Sequence, residues 1–247
     1  MEFIGIVLLG IASGWVINYL ADTLPLKRRL SGPICLNCHE ALAWQEYFLM
    51  RACPHCEAKR SLRTWIVLCL TPVVALFLYL FPPARLGFWI GFGLIIYFAI
   101  IAVIDIEYRA ILLIINILGG IIGLLIGLKI RSVTDTLLGG VAGFVIMLGL
   151  YYFGILFNRL IGRIRKIEVE EVALGLGDVY LMGGLGLMLG WPEVVGGMLI
   201  AILLGGIVSG LIILVSWLVR RYRPMQAIPY APFLIIAAII MIYIPKQ

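Results

Sequence analysis

Charge is what this sequence has least of. Asp, Glu, Lys and Arg make up 13% of its 247 residues, against about 25% in soluble domains. Hydrophobic residues reach 63%, above the roughly 45–50% of a water-soluble chain. A globular domain of this size could not cover its surface with so few charges, so the composition points to a membrane protein. The formal net charge is +6, but the Lys and Arg are not gathered on one face or tail, which argues against a nucleic-acid partner. The start lacks the basic region and small-residue cleavage site of a secretory signal. Met1-Glu2 leads directly into an apolar run, read as a retained helix with its N-terminus outside.

What is present is a series of apolar runs at 3–20, 65–81, 86–104, 110–128, 136–157, 179–190, 194–218 and 228–244. Most have the ~17–25 residues needed to cross a bilayer core. The sixth is short and glycine-rich, so it need not span fully and could form a hairpin with the seventh. The expectation is an all-α polytopic membrane protein of about eight transmembrane helices, with both termini outside. Of the 19 Lys and Arg, 15 fall on one side of that alternation: seven in 21–64, four in 158–178, three at Arg220, Arg221 and Arg223, and Arg109. The positive-inside rule makes that side cytoplasmic. Small residues recur four apart at Gly119, Gly123 and Gly127, at Gly139 and Gly143, at Gly186 and Gly190, and at Gly206 and Gly210. Such spacing allows helix backbones to approach closely in lipid.

Cys35-Leu36-Asn37-Cys38 and Cys53-Pro54-His55-Cys56 are two Cys-x-x-Cys pairs with 14 residues between them. The spacing matches zinc sites in which each pair supplies two corners of a tetrahedron. In a reducing cytoplasm two disulfides are disfavoured. His39 and His55 lie beside the thiols and stand as alternative ligands, but four correctly spaced cysteines already complete a set. No thioredoxin-like pattern surrounds either pair. Four thiolates fill zinc's shell, so the metal is expected to be structural and to hold a loop too small to bury its own core. Cys69 reads as a small buried apolar residue.

Acidic residues number only 13, and two stand out. Asp105 directly follows Ala102-Val103-Ile104, and Asp178 follows Gly175-Leu176-Gly177. Both fall at the cytoplasmic end of an apolar run, in distant parts of the chain. A carboxylate in a membrane segment is costly and marks a candidate site, although a helix-end aspartate at headgroup level is the plainer alternative for each alone, and an ordinary N-cap for Asp178. Two carboxylates brought close share a proton. One can then act as base on a water while the other protonates a peptide carbonyl. Gly175 and Gly177 are expected to supply backbone angles barred to other residues, turning Asp178 toward its partner.

Gly175-Leu176-Gly177-Asp178 resembles the Gly-x-Gly-Asp motif of membrane aspartic peptidases. The glycine-rich stretch 174–191, Ile228-Pro229-Tyr230-Ala231-Pro232, the paired cysteines, Asn18 closing the first helix, and Ser61-Leu62-Arg63 are together similar to the type IV prepilin peptidase branch. The resemblance covers nearly the whole chain and implies Asp105 and Asp178 as the catalytic pair. It implies an endopeptidase that removes the leader of type IV prepilins or pseudopilins at the cytoplasmic face of the inner membrane. Its domain layout would be a first transmembrane helix at 1–20, a cytoplasmic zinc loop at 21–64 and the peptidase helices at 65–247. Members often also methylate the new N-terminus with S-adenosylmethionine, but no methyl-donor site is visible in these residues. Two departures stand against the family pattern. Leu112-Leu113 replaces the usual Pro-Asp, and Leu68 occupies the position of a usual Glu. The competing readings are an inactive zinc-stabilised membrane scaffold and a carboxylate-based transporter. The latter would call for mid-membrane carboxylates and internal repeats, neither of which is visible.

Overall fold

The computed structural model describes residues 2–165, 174–219 and 229–243. These residues hold nine helices and no strand: α1 (Glu2–Lys27), α2 (Trp44–Phe48), α3 (Leu62–Leu80), α4 (Gly87–Tyr108), α5 (Leu113–Ile130), α6 (Val133–Arg165), α7 (Leu176–Leu189), α8 (Glu193–Leu218) and α9 (Ala231–Tyr243). Every apolar run overlaps one helix, and α2 alone is new. The expected eight spans resolve into six helices long and apolar enough to cross a membrane, α1, α3, α4, α5, α6 and α8, and two shorter apolar ones, α7 and α9. The chain is thus an all-helical, multi-pass membrane protein. The short sixth run is α7, whose 14 residues rise only about 21 Å at 1.5 Å per residue.

The chain divides into two compact units, Met1–Ile104 and Asp105–Gln247, the division falling in the last turn of α4. In the first unit α1 packs on α3 through small residues. A Cβ added to Gly10 would come 2.4 Å from the Cα of Pro72, and one on Gly14 2.5 Å from the Thr71 hydroxyl. Asn18 does not close α1, which runs nine residues further to Lys27. Its buried amide instead donates to the carbonyls of Gly14 at 3.0 Å and Thr64 at 3.3 Å.

In the second unit α7 is wedged between α5 and α6 along glycine faces. A Cβ on Gly123 would sit 2.2 Å from the Gly184 carbonyl oxygen, one on Gly139 2.4 Å from that of Gly186, and one on Gly143 2.7 Å from that of Met182. No side chain fits at these points, so the spacing seen in sequence is a packing device here. Gly206 and Gly210 differ: nothing lies within 4 Å of a Cβ at either position. Arg131 and Glu193 form an ion pair of 2.8 Å at the opposite end of α7, where α5 ends and α8 begins.

Candidate functional site

The first turn of a helix has backbone N–H groups with no partner inside the helix, and a partial positive charge. Asp178 is the third residue of α7, after the N-cap Gly175. Its Oδ2 accepts the Gly175 N–H at 3.1 Å, and its own N–H donates to the Gly175 carbonyl at 3.1 Å. The side chain is buried, and its Oδ1 has no hydrogen-bond partner among the described residues.

Asp105 lies in the last turn of α4, where the helix end is partially negative and offers a carboxylate nothing. Its stabilisation comes from another helix. Oδ2 accepts the N–H of Ala231, the first residue of α9, at 3.1 Å. Pro232 follows and carries no N–H, so the donor at the head of α9 is spent on Asp105. Asp105 is 5% exposed and Asp178 8%, so both carboxylates are withdrawn from water. The Asp105 charge acts on Asp178, and the Asp178 charge on the Tyr230 hydroxyl. The two sequence-selected aspartates thus come together, each anchored by one backbone N–H at the head of a helix.

The glycines are in place, but for a different reason from the one expected. Gly175 has φ −83° and ψ 150°, ordinary extended backbone, and Gly177 is inside the helix without a positive φ. What they provide is room. A Cβ on Gly177 would lie 3.0 Å from the Ile111 side chain, and one on Gly175 3.4 Å from the Asp178 carboxylate. Sequence reading missed Asn116, buried on α5, whose amide donates to the Gly177 carbonyl at 3.3 Å and ties α5 to the first turn of α7. Its signal was a lone amide in an apolar run. Leu112, where the family pattern has Pro, is the N-cap of α5 with no side-chain cap bond. Ile228, the first residue of the last apolar run, lies outside the described residues, as do Lys166, Arg220, Arg221, Arg223 and Lys246.

The four paired cysteines form a second cluster, in the other unit. Their sulfurs lie within 4.8 Å of one another, with Cys35–Cys56 at 3.6 Å and Cys38–Cys53 at 3.7 Å. The two loops repeat one geometry. In the first, His39 N–H donates to the Cys35 carbonyl at 2.9 Å and Cys35 N–H to Glu40 at 2.9 Å. In the second, Glu57 N–H donates to Cys53 at 2.8 Å and Cys53 N–H to Ala58 at 3.1 Å. The residue after each second cysteine is left-handed, His39 at φ 60° and Glu57 at φ 55°. A tetrahedron with 2.3 Å Zn–S bonds has edges of about 3.8 Å, so the sulfurs fit a zinc-sized ion. The histidines are exposed and do not join the set. The thiols also titrate unequally. The Ala58 backbone and the Asn37 amide help bring Cys56 down to about 6. Cys38 is lowered by the Glu40 backbone, yet burial and the other three thiols leave it pushed up to about 12. Four thiolates this close need a cation between them. Cys69, expected to be buried, is exposed on α3.

The cysteine loop is locked to the helices by a group the sequence did not reveal. Asp22, 1% exposed near the end of α1, accepts the Tyr47 hydroxyl at 2.7 Å and pairs with Arg63 of α3. Burial and the Asp22 carboxylate push the Tyr47 hydroxyl up, and the Arg60 guanidinium lies 4.4 Å over the Tyr47 ring. A cavity of about 80 Å³ lies between this group and the cysteines, lined among others by Asp22, Asn37, Arg60 and Thr64.

The sequence model of the type IV leader peptidase family matches residues 92–210. That stretch contains Asp105, Asn116 and the whole of 175–178, but neither the cysteines nor Ala231. A prepilin leader peptidase/N-methyltransferase of Aeromonas hydrophila is 30% identical over 126 residues, which are 51% of this chain and 35% of that relative. The match therefore spans about a third of the relative's length. No solved structure matches the chain.

Proposed function

From the premise that residues 92–210 belong to the type IV leader peptidase family, we propose that the chain is an aspartic endopeptidase that removes the leader of type IV prepilins or pseudopilins. The observation that carries this reading is the pair Asp105 and Asp178, both buried and each held by one backbone N–H, with the Asp105 charge acting on Asp178. In the reaction one carboxylate is ionised and the other protonated. The ionised one takes a proton from a water whose oxygen attacks the scissile carbonyl carbon, while the protonated one gives its proton to the carbonyl oxygen. The resulting gem-diol collapses with proton transfer to the amide nitrogen, and the C–N bond breaks. The unpartnered Oδ1 of Asp178 is the acceptor we assign to the water or the diol. Helix ends are where a substrate with an apolar stem in lipid would present its first polar peptide bond. A transporter would hold its carboxylates nearer mid-membrane.

We place the dyad and the cysteine loop on the cytoplasmic side of the inner membrane, on the strength of the Lys and Arg distribution. The four cysteines would hold one structural zinc, with no coordination position left for a water. Methylation of the new N-terminus rests on the likeness to the Aeromonas peptidase/N-methyltransferase. The cavity beside the cysteines, about 80 Å³, does not fit a methyl donor, since sites for such ligands measure about 300–1,000 Å³.

Incubating the purified chain with a prepilin tests the reading. A product shortened by its leader supports it, whereas an intact substrate beside folded protein would favour the scaffold reading. Mass spectrometry of the same product, with S-adenosylmethionine added, reports a methyl group or its absence.

A further inference from the structure

The chain leaving α1 does not continue away from the helix. It reverses at Arg28, whose φ is 52°, and returns along α1 until the Ser31 carbonyl accepts the Tyr19 hydroxyl. The five residues of α2 then lie against the same level of α1. Trp44 meets Tyr19 at a tilt at 5.1 Å and stacks on Phe48 at 5.8 Å, and Phe48 meets Trp15 edge-on at 5.3 Å. Trp15 and Tyr19 belong to a helix of 26 residues with the composition of a membrane span, which rises about 39 Å against a hydrocarbon core of about 30 Å. Tyr19 is eight residues, or about 12 Å, before the end of that helix at Lys27. The aromatic face of α2 is therefore carried down to the depth at which α1 enters lipid.

That face is uncovered. Trp44 is 48% exposed, Phe48 50% and Leu49 62%. Around it the same loop exposes Lys27, Arg28, Arg29, Arg51 and Lys59, against Glu40 and Glu57. Aromatic rings at headgroup level with a basic surround match an anionic membrane surface in both polarity and charge. We propose that this loop is a membrane-surface anchor: Trp44, Phe48 and Leu49 insert at the headgroup–acyl boundary, and the flanking basic residues bind anionic phospholipid. The cysteine cluster is then held against the bilayer from two sides, by the Asp22–Tyr47 contact to α1 and by lipid.

The test uses the full chain in nanodiscs and compares it with the Trp44→Phe variant, which keeps an aromatic ring in the stack. Subtracting the two emissions isolates Trp44 from the other five tryptophans. With anionic phospholipid brominated near the headgroup, that component should be quenched, and aqueous iodide should leave it intact. Replacing the anionic lipid by a zwitterionic one, or combining Lys27→Glu, Arg28→Glu and Arg29→Glu, should reduce the bromine quenching and raise iodide quenching. A Trp44 component quenched by iodide but not by bromine would place the face in water and overturn the proposal. One quenched by neither would mean that protein, a second copy or a substrate, covers it, and would overturn it equally.

Discussion

The Ala231 N–H, the first of α9, points at the Asp105 carboxylate from 3.1 Å, across 126 residues of sequence. Ala231→Pro should preserve the helix, because the first helical position tolerates proline and its N–H has no partner within the helix. It would strip Asp105 of its donor. A hydrogen bond to a charged group is worth about 1.5–3 kcal/mol, so kcat should fall about tenfold or more while the melting temperature barely moves. An unchanged kcat would show that the contact does not matter to the reaction.

The contact between α6 and α7 separates packing glycines from bystanders. Gly186→Ala would drive a Cβ to 2.3 Å from the Gly139 carbonyl, a backbone atom that cannot step aside. Overpacking of this kind costs about 1–3 kcal/mol, visible as a lower melting temperature in detergent. Gly206→Ala meets nothing within 4 Å and should be neutral or slightly stabilising. Equal effects from the two would contradict the proposed packing of α7.

Metal analysis of protein purified without chelator should find about one zinc per chain. Cys38→Ser or Cys56→Ser should lower that content, and chelation should loosen the loop from α1, read as faster amide exchange at Tyr47. Stoichiometric disulfides by mass, with no metal, would sink the assignment.

Asp22 is buried between Tyr47 and Arg63. Removing one member of a buried ion pair costs about 3–5 kcal/mol, so Asp22→Ala should destabilise strongly. Tyr47→Phe forfeits a hydrogen bond to a charge, about 1.5–3 kcal/mol. If the three act together, the double variant Asp22→Ala with Tyr47→Phe should cost less than the two single losses added, a coupling measurable by thermal melts. Simple additivity would make the contacts independent.

Much of this arrangement was readable from pattern. Long apolar runs gave the helices because membrane burial favours them whatever their neighbours, and the cysteine spacing is nearly local. The losses came from tertiary partners. Hydropathy stops at Leu20, yet α1 continues to Lys27 because Asp22 is satisfied by Tyr47 and Arg63, which no local window contains. Gly175 and Gly177 stood out in the sequence, but whether a glycine supplies angle or space depends on what lies opposite, here Ile111 and the Asp178 carboxylate. Asn116 was hidden for the same reason: its role is set by the Gly177 carbonyl, 61 residues away.

The central claim is that Asp105 and Asp178 do the chemistry, and paired substitutions on one purified prepilin test it most directly. Asp105→Asn and Asp178→Asn keep the size of the side chain and an oxygen able to accept the Ala231 or Gly175 N–H. Both variants should fold and insert normally, and each should lower the initial cleavage rate by about 100-fold or more, the usual size of an acid–base contribution. Leader removal at near wild-type rate by either variant would take that aspartate out of the dyad and contradict the account.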